Sequence, residues 1–408
     1  MFTSRDFAIQ RLQVFLEELE RLKSSTFPYT HSLDALEILC DDVSKHIVNL
    51  ESLDESSNPL VIDAACKAST ALLQRYHPYA GFLLRATNVR NAFEVYGPVL
   101  RIARQILGPD TRLVLSSEWE FSPYTYIDNA SFSEFVLIGL PASESSNPLL
   151  LPTAGHELGH TIWNKKVDQI KYSENLTDGV LEYIRNTWSE YTKNYSEISI
   201  QKSELGSDMF AQRTWAPARD SAFRQAEEIF CDFVGVRIFG ESYLYAFAYL
   251  VAPGSTRRSP MYPLDRVRAQ YLMLAMQKYG STSPSNYDSL FTQSGAQVDY
   301  MQTAADSAVE KIIDDLLQDA DSIISGAKIP CPDPAKTSEI YQSYKRLAVP
   351  ARSSILLSNI LNAAWLAYQD PELWAQLPQI NDTSCVLKEL VLKNVEVLEI
   401  ESRLQANQ

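Results

Sequence analysis

The sequence predicts an α+β protein that is predominantly α-helical, with a small β-sheet set between N- and C-terminal helical regions. Three observations predict this. Through residues 1–108 apolar side chains recur at helical spacing, as in "FAIQRLQVFLEELERL", where Phe7, Leu12, Phe15, Leu16 and Leu19 mark one face. Short runs rich in β-branched and aromatic residues follow, separated by turn-forming Ser, Pro, Asp and Asn. From about residue 176 the helical period returns and continues through the rest of the chain.

In the first region, residues 1–108, "SLDALEILCDDVSKHIVNLESL" follows the opening helix with Ser32 as its N-cap. "NPLVIDAACKASTALLQRY" and "YGPVLRIARQIL" continue the pattern, and "GPD" at 108–110 closes it. Consecutive amphipathic helices of this kind bury their stripes in a bundle. The second region, residues 109–280, opens on "TRLVLSS", "YTYID" and "EFVLIGLP", a small sheet over 112–141 with 134–141 its last strand. After the polar loop "ASESSN", "PLLLPTAGHELGHTIWNKK" reads as a helix with Pro152 in its first turn. "LTDGVLEYIRNTWSEYTK", "SAFRQAEEIFCDFVGVRIF" and "LDRVRAQYLMLAMQKY" are the next helices. The polar, Ser-rich stretch 281–300 marks a boundary, and residues 281–408 form a C-terminal helical region.

Composition excludes several classes. The formal net charge of −15 leaves no positive footprint for a phosphate backbone, so nucleic acid is not an expected partner. "YLYAFAYLVA", the most apolar run, is about half the length that a membrane span needs, and no membrane association is expected. The first residues carry charges throughout, unlike a secretory leader. Five cysteines without C-x-x-C spacing suit reduced thiols, so the expected compartment is the cytoplasm. On that view the sequons at Asn129, Asn175, Asn194 and Asn381 are chance matches.

The chemistry begins at "TAGHELGHTIW". His156 and His160 lie four apart on one face of a helix, where both imidazoles reach a single ion. Glu157 is turned about 100° from His156, beside the ion without being a ligand, where it can take a proton from water. A chance match would place the motif on an exposed helix rich in Lys and Glu. This helix instead carries Leu149, Leu150, Leu151, Ala154, Leu158, Ile162 and Trp163. It is apolar on several faces, so its ionisable groups need buried partners. Gly155 and Gly159 weaken a helix, which makes sense where another backbone comes close.

A catalytic zinc needs a third protein ligand and one open position. The remaining histidines, His31, His46 and His77, all precede the motif, so a downstream ligand must be a carboxylate. "AEEIFCDFVG" offers Glu228 and Asp232, four apart among Ile229, Phe230, Phe233 and Val234. Glu228 on the metal and Asp232 on the free ring N–H of a ligand histidine would satisfy both acids. Glu227 competes as ligand, but its i+4 neighbour is Cys231.

With H-E-x-x-H followed by E-x-x-x-D on a second helix, the chain resembles the gluzincin zinc metallopeptidases over roughly residues 112–280. The resemblance implies His156, His160 and Glu228 as ligands of one Zn2+, Glu157 as general base and Asp232 as the acid behind the ligands. It also implies a zincin-like core, a sheet packed on the two metal-bearing helices, with "EFVLIGLP" pairing to an extended protein or peptide substrate. The 67 residues between His160 and Glu228 require an inserted helical segment at about 170–215.

Peptide hydrolysis also needs a donor for the tetrahedral oxyanion. "RRSPMYPLDRVR" faintly resembles the His-Pro-then-Arg segment of CAAX-type prenyl proteases. Tyr262 would stand for the histidine, and Arg266 would orient substrate or Asp232. "SPMYP" reads equally well as a turn, and Tyr245 and Tyr249 are alternative donors. Cys231 reads as a small buried hydrophobe and His77 as structural. The expected function is a zinc-dependent metallopeptidase. A helical interaction protein with a structural or vestigial zinc site, and a zinc hydrolase of non-peptide amides, remain open alternatives.

Overall fold

The computed structural model describes residues 3–54, 56–89, 92–126, 130–255, 258–281, 283–292, 299–350, 355–376 and 380–406. It is mostly helical with one three-stranded sheet, and it packs as two units. One comprises Met1–Tyr96 with Pro109–Ser146, the other Gly97–Gly108 with Asn147–Gln408. The division runs through the 109–280 stretch and leaves the sheet and the H-E-x-x-H helix in different units.

In the first unit, α1 (Ser4–Lys23), α2 (Thr30–Glu51) and α3 (Pro59–Arg85) form where the apolar period is clearest. Thr3 caps α1 reciprocally with Asp6, and Asn58 accepts the Leu60 N–H at the head of α3. α2 starts before Ser32, which lies buried in its first turn instead of capping it. Leu12, Leu36, Val43 and Phe82 meet in a core that also takes Val114 and Leu137 from the sheet. α4 (Ala92–Leu107) follows, its Gly97–Leu107 part belonging to the second unit.

The sheet consists of β1 (Arg112–Glu118), β2 (Tyr124–Thr125) and β3 (Phe135–Pro141) in the order β1-β3-β2. β1 runs parallel to β3 over its full length, from Arg112↔Phe135 to Glu118↔Pro141. β2 pairs antiparallel at Ile138 and Gly139, and the Tyr126 N–H donates to the Leu137 carbonyl. β3 is therefore last in sequence but central in space. An extended peptide added at its middle would have to displace β2, which removes the strand-pairing role expected for "EFVLIGLP". Ile127 and Asp128 of "YTYID", and the sequon at Asn129, lie outside the described residues.

The second unit holds α5 (Thr153–Lys166), α6 (Gln169–Asn186), α7 (Trp188–Asn194), α8 (Met209–Phe239), α9 (Glu241–Val251), α10 (Asp265–Lys278), α11 (Tyr300–Glu310) and α12 (Ile313–Gly326). α13 (Pro334–Tyr344), α14 (Leu357–Gln369), α15 (Pro371–Ala375) and α16 (Thr383–Ala406) complete it. No described helix is long and apolar enough to cross a membrane. α5 begins at Thr153, one residue beyond Pro152, after a separate 3-10 turn at Pro148–Leu150. The Trp365 indole N–H of α14 donates to the Leu149 carbonyl at 3.1 Å and so fixes the entry to α5. α8 begins well before the expected Ser221, because Asp208 accepts the N–H groups of Phe210 and Ala211 and starts the helix there. Within 281–300, residues 282 and 293–298 lie outside the described residues, while Tyr287 and Phe291 are buried, with the Tyr287 hydroxyl on the Leu244 carbonyl.

α5 and α8 cross the middle of this unit antiparallel, Gly159 opposite Cys231 and Gly155 opposite Gly235. A Cβ at Gly159 would lie 2.7 Å from the Cys231 Cα. Since that neighbour is backbone, Gly159→Ala should push the helices apart and cost about 1–3 kcal/mol in unfolding free energy. Gly326→Ala, at a helical position with open space around it, should be neutral or slightly stabilising. Chemical denaturation of both variants checks the contrast.

Candidate metal centre

The α5–α8 contact brings His156 and His160 against the face of α8 that carries Glu227, Glu228 and Asp232. His156 Nε2 lies 3.3 Å from Glu228 Oε2, and His160 Nε2 lies 3.8 Å from Glu228 Oε1. One ligand atom from each of His156, His160 and Glu228 falls within 4.8 Å of the others, the candidate metal cluster found among the described residues. Behind them, His156 Nδ1 lies 3.0 Å from Asp232 Oδ1, and His160 Nδ1 lies 3.0 Å from Glu227 Oε1.

These distances dictate the tautomers. Each Nδ1 faces a carboxylate and must donate its N–H, so a neutral ring carries only a lone pair on Nε2. Both Nε2 lone pairs then point at the Glu228 carboxylate, itself only an acceptor. Such an arrangement is repulsive unless a proton or a cation stands between them. A divalent cation fits, because two imidazole nitrogens and one carboxylate oxygen are a common donor set for it.

Asp232 is the most heavily engaged acid of the site. Besides His156 it accepts the Tyr243 hydroxyl at 2.6 Å and both Nε and Nη2 of Arg268 at 2.8 Å. Burial works against its charge, but Arg268 and His156 outweigh burial and hold the carboxyl well below the usual range. Glu227 is similarly supported by Arg224 at 3.2 Å. Glu157 is 5% exposed, and its Oε2 has no hydrogen-bond partner. Burial raises its pKa, although the two histidines pull the other way. It is the acid of this cluster with a bare oxygen, as a group that handles a transient proton requires.

Tyr262 is 39% exposed, and its ring lies 5.6 Å from the Arg268 guanidinium carbon. The charge of Glu228, followed by burial, pushes its phenol up to about 12. Tyr262 therefore stays a proton donor within the field of the centre. Of the alternative donors, Tyr245 has its hydroxyl on Glu241 and its ring stacked on Trp365. Arg266 is paired with Asp288 at 3.1 Å, and Arg268 occupies Asp232 in its place.

Two residues of the site, Arg268 and Tyr243, are not singled out by the sequence. Arg268 carried a signal: it shares a face with Leu272 and Met276 on α10, the buried side, whereas Arg266 shares one with Gln270. Tyr243 had none, since α9 is apolar throughout and any of its tyrosines reads as core. Glu227, a competing ligand by sequence, lies behind His160 instead. Cys231 is buried against Gly159, and His77 stacks on Phe15 with its Nδ1 on the Leu73 carbonyl.

Two outcomes follow from this geometry. If the cluster holds a divalent ion, removing the Asp232 charge with Asp232→Asn should weaken the binding of added zinc by about 10–100-fold, as read by chelator competition. Burial opposes the charged His156 ring, but Asp232 and Glu228 outweigh it and carry its pKa up to about 10. An incoming ion must displace that proton, so uptake at neutral pH should release close to one proton. Affinity should rise about tenfold per pH unit until pH approaches that pKa. Calorimetry in buffers of different ionisation enthalpy measures the released proton. No family model, curated protein or solved structure matches the chain, so the chemistry of this centre rests on its own geometry.

Proposed function

We propose that the protein is a cytosolic zinc-dependent metallopeptidase of gluzincin type, with the likeness carried by α5 and α8. The observation that supports it best is the pair of histidine Nε2 atoms facing the Glu228 carboxylate, with the buried, unpartnered Glu157 Oε2 beside them. His156, His160 and Glu228 would hold the ion. The ion would supply a water nucleophile at neutral pH and a Lewis acid for the scissile carbonyl. The cysteines are all free, in keeping with a reducing compartment.

Glu157 takes a proton from the attacking water as its oxygen bonds to the carbonyl carbon. It returns that proton to the amine nitrogen as the C–N bond breaks. Tyr262 donates its hydroxyl hydrogen bond to the oxyanion that forms between these steps. Asp232 and Glu227 hold the two imidazoles with Nε2 forward, and Arg268 with Tyr243 holds Asp232. A closed structural site would require a fourth protein ligand. Glu227 and Asp232 are committed to ring N–H groups, and Glu157 falls outside the cluster of mutually close ligand atoms, which favours an open coordination position.

Glu157→Gln should retain zinc at wild-type stoichiometry and lower kcat/KM by about 10²–10⁴-fold on any peptide the wild type cleaves. Metal analysis and product mapping after incubation with a proteome-derived peptide library provide both readings. Equal cleavage by the two proteins would reject the mechanism.

A further inference from the structure

The loop that carries Tyr262 is bolted to the ligand-bearing helix by a buried polar network that the proposed chemistry does not otherwise use. Arg258, whose side chain is 7% exposed, donates from Nη1 to the Ser259 carbonyl at 3.0 Å and to the Tyr262 carbonyl. Its Nη2 donates to Gln225 Oε1 at 3.4 Å and pairs with Asp306. Two residues before Tyr262, the Pro260 carbonyl accepts the Ser221 hydroxyl. Ser221 Oγ in turn accepts from Gln225 Nε2 at 3.3 Å and from Gln302 Nε2 at 3.2 Å.

The pattern is two-sided. α8 presents Ser221 and Gln225, four apart, and α11 presents Gln302 and Asp306, also four apart. Gln225 is 1% exposed and Gln302 is 9% exposed. Amides buried this deeply destabilise a helix pair unless they are satisfied, and here their partners lead to the carbonyls of residues 259–262. Gln225 also lies one turn before Glu228, so the loop is referenced to the helix that carries the metal ligand. The Tyr262 side chain is itself part-exposed, so the aim of its hydroxyl depends on where its backbone is held.

We propose that Arg258 is the positioning residue for Tyr262, holding its carbonyl so that the phenol faces the metal centre. This rests on the reading of Tyr262 as the oxyanion donor. Arg258 does not touch the reacting atoms; it acts through the peptide of Tyr262 and through α8.

A double-mutant cycle on the full-length, zinc-loaded protein tests it, with Arg258→Ala, Tyr262→Phe and the combination assayed on one cleaved peptide. Arg258→Ala should lower kcat by about 10–100-fold with KM within about threefold and zinc content unchanged. In the Tyr262→Phe background the same change should cost less than about threefold, and Arg258→Lys should restore part of the loss. An equal loss in both backgrounds, or no loss at all, would overturn the proposal. So would Tyr262→Phe matching wild type, since Arg258 would then position nothing. If Arg258→Ala does not fold, Asp306→Asn tests the same network and should show the same non-additivity. A wild type without Glu157-dependent cleavage rejects the peptidase reading separately. In that case 3-fluorotyrosine at position 262 decides: its 19F resonance should shift on zinc binding, and an identical shift in Asp306→Asn and, where it folds, Arg258→Ala would overturn the proposal.

Discussion

The backbones of α5 and α8 meet at Gly159, where even a methyl group would sit 2.7 Å from the Cys231 Cα, and the candidate metal centre depends on that approach. Imidazole is a short side chain. Its Nε2 atoms reach to 3.3 Å and 3.8 Å of Glu228 only because no side chain separates the helices one residue away. Gly155 repeats the device a turn earlier, against the Phe239 ring and Gly235. Each glycine weakens its helix by roughly 0.5–1 kcal/mol relative to alanine. The packing of Trp163 among Tyr172, Phe223 and Phe230 offsets that loss at the other end of α5.

That close approach creates an electrostatic problem. Glu157, Glu227, Glu228 and Asp232 converge in a space where Arg268 and Arg224 are the paired guanidiniums. With both histidines neutral, as an ion between them requires, four carboxylates against two guanidiniums leave two negative charges in the site. One divalent cation carries the matching charge. The hydrogen bonds agree with the charge count, because the ring N–H groups are spent on Asp232 and Glu227 and the bare nitrogens face Glu228. Tautomer, charge and donor geometry are separate constraints, and a cation between the rings satisfies all of them.

The parts of this centre legible in the sequence are those set by spacing within one helix. His156 with His160, and Glu228 with Asp232, are i,i+4 pairs, and the helical repeat alone places each pair on one face. The small sheet was legible from composition, but its strand order was not. Nothing in "EFVLIGLP" says that it lies between β1 and β2, since strand order depends on long-range pairing. Arg266 enters through the resemblance of Tyr262-Pro263 and the arginine after it to a His-Pro-then-Arg segment, whereas the structure puts Arg268 on Asp232. The buried stripe Arg268, Leu272, Met276 decides between the two, and a stripe is read reliably only when the neighbouring elements are known. The length of α8 is likewise hidden, because the helix starts at the Asp208 cap and runs on through Pro217, a residue that disfavours a helix interior.

Residues that break the local rules of this sequence collect in one place. Glycines inside α5, acids on the apolar face of α8 and amides buried on α8 and α11 each weaken the element that holds them. Scattered through a domain they would be independent defects. Here the glycines admit Cys231 and Gly235, the acids orient His156 and His160, and the amides lead through Arg258 to the Tyr262 carbonyl. All lie on α8 or on segments that touch it, and all bear on the few ångströms around His156, His160 and Glu228. A chain selected only for stability would fill the positions of the acids and amides with apolar side chains. Their convergence on one point is what a working site requires, because function sets the residues there against the preferences of the helices that carry them.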